Sequence, residues 1–355
     1  MKLTDAQKSR MPTGVGFALL AAALFGASTP FAKLLLGELP PVLLAGLLYL
    51  GSGIGLTALV LLRRGHEEAP LARADLPWLA GAVVFGGMLG PVLLMLGLRV
   101  TPAATASLLL NLEGVFTALL AWFVFRENFD RRIALGMLLI VAGGMLLSWQ
   151  GSGGLGLPIG SLAVAGACLC WGIDNNLTQK VSAGNPFQVA AIKGAVAGSV
   201  NLALALALGA SLPPLRAGAG ALVVGFLGYG VSLALFVLAL RHIGTARTGA
   251  YFSTAPFVGA AVSLILLREP VGMPFFAAAV LMGTGVWLHL TERHEHPHHH
   301  ERLVHTHRHV HDEHHQHAHP PGIDAAEPHT HEHVHEPVTH THRHYPDIHH
   351  RHSHG

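Results

Sequence analysis

Only 12% of the 355 residues are charged and 51% are hydrophobic, whereas a soluble domain carries roughly a quarter charged residues. The composition therefore excludes a water-soluble globular protein and indicates a polytopic membrane protein. The formal net charge of +2 decides little, because most of the charges lie in connections and in one tail.

Residues 1–13, with Lys2, Lys8 and Arg10, read as a short cytoplasmic N-terminus. The apolar run behind them could pass for a secretory signal, but its pattern recurs later in the chain, which marks it as a retained first helix. Crossing a bilayer takes about 20 helical residues. Runs of that kind fall at 14–36, 40–62, 76–98, 102–125 and 133–149. A glycine-rich linker, 150–156, separates them from five more at 157–179, 186–208, 217–240, 245–267 and 271–290. The connections are short, so each helix must pack beside its neighbour in sequence. Glycines within the spans, such as Gly194 and Gly198 in GxxxG spacing, let membrane helices approach closely and are read as packing positions.

The two sets of five look like copies. Leu98-Arg99 aligns with Leu240-Arg241, and the same shift brings Arg126-Glu127 onto Arg268-Glu269 and Gly143 onto Gly285. An odd number of spans per copy turns the second copy upside down, as in the inverted repeats of many secondary transporters. The expected fold is all-α and integral to the membrane, with ten transmembrane helices in two inverted five-helix repeats, 14–149 and 157–290. Loop charge supports one orientation. With the N-terminus inside, the inner side holds twelve Lys and Arg residues and the outer side four, counting Lys33. That bias places both termini in the cytoplasm and the protein in the cytoplasmic (inner) membrane.

Polar residues at bilayer depth are the candidate site, since an ionisable group there costs roughly 2.5–3.5 kcal/mol on insertion scales and usually marks a pathway. The set is Asn111 and Glu113 in the fourth span, Asp174, Asn175 and Asn176 in the sixth, and Lys193 in the seventh. They are expected to line a central cavity for a small-molecule substrate. The bland alternative is that they pair with one another and brace the helices. Cys170 stands one helical turn before Asp174, and the two could hold a divalent metal, although further ligands are lacking nearby. Glu127 and Glu269, at matched span ends, are expected to cap helices or to make contacts at the repeat interface.

Residues 291–355 hold 24 of the 27 histidines and almost no apolar residues, so a disordered, histidine-rich cytoplasmic tail is expected. His305, His307, His309 and His311, and again His329, His331, His333 and His335, stand two apart. Imidazoles so spaced suit Ni, Zn, Co or Cu. His331-Glu332-His333-Val334-His335 matches the zinc-protease motif only literally, because that motif needs a structured helix. No cofactor is required by the sequence, no nucleophile stands beside a base, and nothing suggests nucleic acid as a partner.

The paired halves, Phe25-Gly26 and Trp171-Gly172 in the first span of each, and Arg126-Glu127-Asn128 and Arg268-Glu269-Pro270 closing the fourth, together resemble the EamA-type transporters of the drug/metabolite transporter superfamily. The resemblance spans about 14–290. It implies a secondary transporter, an exporter of a small polar metabolite working by alternating access, and not an enzyme. The family often places an arginine in the second span of a copy, where this chain has Tyr49 and Lys193. The tail lies outside the family pattern and leaves a second expectation, transport of a divalent transition metal or its complex, with the tail collecting the ion.

Overall fold

The protein is described here by a computed structural model covering residues 13–62, 73–125, 131–149, 158–181 and 186–291, with four short tail segments. The first half contains α1 (Thr13–Leu35), α2 (Pro41–Leu62), α3 (Leu76–Ala82), α4 (Gly90–Val100), α5 (Ala103–Leu109), α6 (Leu112–Phe125) and α7 (Arg131–Ser148). The second contains α8 (Ile159–Val181), α9 (Pro186–Ala207), α10 (Leu215–Gly225), α11 (Ser232–Phe252), α12 (Ala255–Leu267) and α13 (Met273–Leu290). Among the described residues, eight helical stretches are long and apolar enough to cross a membrane on their own. Of the remaining helices, α8 is diluted by polar residues and α12 is shortened by a break.

One boundary differs from expectation. A loop was expected between 240 and 245, yet α11 stays helical through that stretch. A straight helix would separate Phe236 and Phe252 by about 24 Å, but their ring centroids are 4.9 Å apart. The helical run therefore doubles back on itself, and its two legs fall on the expected eighth span and the start of the expected ninth.

The packing is symmetric under exchange of the halves. α2 lies against α9 and α7 against α13; α1 lies against α11 and α12 just as α8 lies against α4 and α6. Irregularities are duplicated as well. The third pass carries a π-helical segment at Val83–Leu89, between α3 and α4, and the eighth carries one at Phe226–Val231, between α10 and α11. The fourth pass breaks at Leu110 and Asn111, the ninth at Ser253 and Thr254. An inverted duplication explains this pairing of defects.

Close helix approach is built on small residues. A Cβ at Gly194 of α9 would stand 2.6 Å from the Gly53 nitrogen of α2, which backbone atoms cannot accommodate without the helices separating. At the end opposite the N-terminus, Lys33 donates to the carbonyls of Leu98, Arg99 and Thr101 at 2.5, 3.2 and 2.9 Å. Beside it, the amides of Ala103 and Ala104 donate to the two oxygens of Glu269 at 2.7 and 2.8 Å. Glu269 thus caps a helix of the opposite half, in keeping with its expected role; Glu127 lies outside the described residues.

In the tail, where no regular structure was expected, residues Glu295–His300 pair antiparallel with Val338–Arg343, and Leu303–His309 with His329–His335. The second register sets His305, His307 and His309 opposite His333, His331 and His329. His311 lies outside the described residues.

Candidate functional site

The site is organised by the irregular backbone of the third and fourth passes. A π segment interrupts the regular ladder of an α-helix and leaves carbonyls for other donors. Here three helices supply them. The Tyr49 hydroxyl of α2 donates to the Gly86 carbonyl at 2.7 Å, and the Trp171 indole of α8 donates to the same oxygen at 3.0 Å. The Asn201 amide of α9 donates to the carbonyls of Gly87 and Met88 at 3.2 and 3.4 Å.

Asp174 packs on this segment. Gly86 has no side chain, and a Cβ there would fall onto the Asp174 carboxylate. Asp174 is only 7% exposed, and Lys193 from α9 donates to both of its oxygens at 2.6 and 2.7 Å. Thr178, one turn along α8, donates to Oδ1 at 2.9 Å. A carboxylate removed from water needs compensation of this kind. The result is a matched ion pair that ties α8 and α9 to the π segment.

The adjacent faces of α8 carry a second cluster. Glu113 stands in the first turn of α6, and α6 begins in mid-pass because the ladder breaks at Leu110–Asn111. The positive end of a helix dipole favours a carboxylate there. The Asn175 amide donates to Glu113 Oε1 at 2.9 Å and to the Thr117 hydroxyl at 3.2 Å. Asn175 is exposed, whereas Asn176 is buried and donates to the carbonyls of Gly172 at 2.8 Å and Thr117 at 3.2 Å. Asn176 therefore joins α8 to α6, while Asn175, bonded to the half-buried Glu113, is the exposed member of the cluster.

Asn111 lies apart from both clusters. Its amide donates to the Leu108 carbonyl at 2.8 Å and sits 4.0 Å from the Met282 sulfur. Cys168 places its thiol 3.6 Å from the Leu109 carbonyl. Both satisfy groups released by the break. Among the described residues no three His, Cys, Asp or Glu side chains gather as a metal site, so the Cys170–Asp174 pair gains no further ligand there.

An aromatic wall adjoins the polar groups. Tyr49 and Tyr229 have centroids 5.6 Å apart, Phe25 and Tyr229 5.7 Å, and Phe25 and Phe252 5.5 Å. These rings come from α1, α2, α11 and the second π segment, so the wall crosses from one half to the other. The sequence pattern alone does not assign Thr178, Gly86 or Asn201 to the site. Their one visible signal is polar or small character inside apolar runs, which many packing residues share.

A duplicated apolar helical unit, packed symmetrically around buried polar groups, is the form that inverted-repeat membrane transporters take. The EamA-like transporter family model matches residues 12–149 and again 158–291, so the chain belongs to that family. An "Uncharacterized transporter" of Methanothermobacter thermautotrophicus is 30% identical over 287 residues, 76% of this chain and 84% of the relative. A "Probable amino-acid metabolite efflux pump" of Salmonella typhimurium is 26% identical over 302 residues, 77% of this chain and 93% of the relative. A crystal structure with TM-score 0.58 and 17% identity covers 79% of this chain and 97% of its own, a likeness of fold alone.

Proposed function

We propose that the protein is a secondary transporter of the cytoplasmic membrane that exports a small polar metabolite, amino-acid-like in chemistry, by alternating access. The observation that carries this reading is the Glu113–Asn175 pair, held at the start of a half-helix in mid-membrane with Asn175 exposed. Glu113 would receive a substrate ammonium group, and the aromatic wall would take its less polar part. The Asp174–Lys193 pair, with Asn176, would shape the cavity by fixing α8 against its neighbours. The amino-acid class also draws on the Salmonella relative. Both termini would then face the cytoplasm, as the loop charges imply.

The test is efflux of an amino-acid and amine panel from cells overproducing the chain. Glu113→Gln should lower export at least about tenfold, because a charge-assisted contact worth roughly 1.5–3 kcal/mol is lost. Full-rate export by a well-folded Glu113→Gln protein would rule this assignment out.

The histidine content favours a separate reading of the tail as a binder of Ni, Zn, Co or Cu. The runner-up function makes such an ion the cargo. Truncation after Thr291 should remove most metal bound by the purified chain, measured by titration calorimetry, while leaving metabolite export intact. Cellular Ni, Co, Zn and Cu contents that follow expression of the full chain, and change on truncation, would instead favour metal as cargo.

A further inference from the structure

We propose that Lys33 and Glu269 form a latch that holds the transporter shut at the end opposite its N-terminus; the proposal rests on the alternating-access reading above. Both residues act on one short connection, Thr101–Pro102, where α4 ends and the fourth pass begins. Lys33, near the end of α1, takes three carbonyls on the α4 side. Glu269 takes the two amides on the other side. A cation on terminal carbonyls and an anion on leading amides are each the favoured charge for that helix end. The two side chains also attract each other.

The latch joins the halves. Lys33 and the Thr101–Pro102 connection belong to the first half, whereas Glu269 belongs to the α12–α13 connection of the second. Arg268, just before Glu269, has φ 50°, the left-handed conformation that a non-glycine residue adopts at some cost. That geometry ends α12 and turns the next residue back toward α5. Thr101 closes the other side, since a Cβ on Gly160 at the start of α8 would collide with its hydroxyl. An opening between the halves at this end must release the Glu269 carboxylate from the Ala103 and Ala104 amides, so the contact governs how often the end opens.

The experiment uses the full chain with Cys168→Ser and Cys170→Ser, and Ser28→Cys as reporter. Ser28 is 4% exposed and lies about 7.5 Å deeper along α1 than Lys33. Right-side-out vesicles are treated with a membrane-impermeant maleimide. Adding Glu269→Ala should raise the initial labelling rate about tenfold or more, the effect of losing its two charge-assisted contacts. Glu269→Gln, which can still accept a hydrogen bond, should fall between, and Arg268→Gly should label like the parent. Parental labelling by Glu269→Ala that elutes as a folded protein overturns the latch. Where Glu269→Ala does not fold, Lys33→Met carries the same expectation and the same refutation. Flat labelling combined with Glu113-dependent export refutes the latch alone, whereas flat labelling with export indifferent to Glu113 also refutes the reading beneath it.

Discussion

Lys193→Met should destabilise the folded protein by about 3–5 kcal/mol, the cost of leaving a buried charge without its partner. Asp174 would remain against Gly86 with only Thr178 to serve its carboxylate. A large drop in melting temperature in detergent is the measurement. The double variant Lys193→Met/Asp174→Asn should recover most of the loss, because the neutral amide no longer needs a cation and can still meet the Thr178 hydroxyl. Equal instability of the single and double variants would show that the two residues do not act as a unit. Export by the double variant then separates the two roles open to the pair: retained export makes it a brace, and lost export makes it part of the substrate path.

The second large effect is on packing. Gly194→Val should prevent α2 and α9 from closing, at a cost of about 3 kcal/mol or more for forced overpacking. The first added carbon would already stand 2.6 Å from the Gly53 nitrogen and 2.9 Å from the Tyr49 carbonyl oxygen. Separation there would also disturb Lys193, which neighbours Gly194 in the same helix. Fluorescence-detected size-exclusion chromatography should show loss of the monodisperse peak. Gly16→Ala is the control, since nothing lies within 4 Å of a Cβ at that position; loss of the peak there too would remove the packing explanation.

Much of the architecture is legible in the sequence because hydropathy measures burial in lipid directly, and a duplicated scaffold repeats its landmarks. Arg268-Glu269 is visible as a span end, but the helix that Glu269 caps, α5 of the other half, follows only from packing. The breaks at Leu110–Asn111 and Ser253–Thr254, and both π segments, were not visible. They leave the apolar pattern intact and differ from regular helix only in where backbone hydrogen bonds go. Asp174 and Lys193 were each recognisable as charges at membrane depth, but they lie 19 residues apart on different helices. Only the packing of α8 on α9 makes them partners. Asn111 illustrates the converse. It has the same polar signature as Asn175, yet its amide serves the turn it belongs to.

The π segment at Val83–Leu89 has a consequence for how one helix addresses its surroundings. Each extra residue held in a helix puts the turns beyond it out of phase by about 100° with those before. In the third pass, α3 lies against α8 and α9, whereas α4 lies against α8, α2 and α1. A straight, evenly wound helix would offer the same stripe along its whole length. This one turns its stripe partway, so a single rod touches the opposite half along its lower part and both halves along its upper part, and it couples them without an intervening loop.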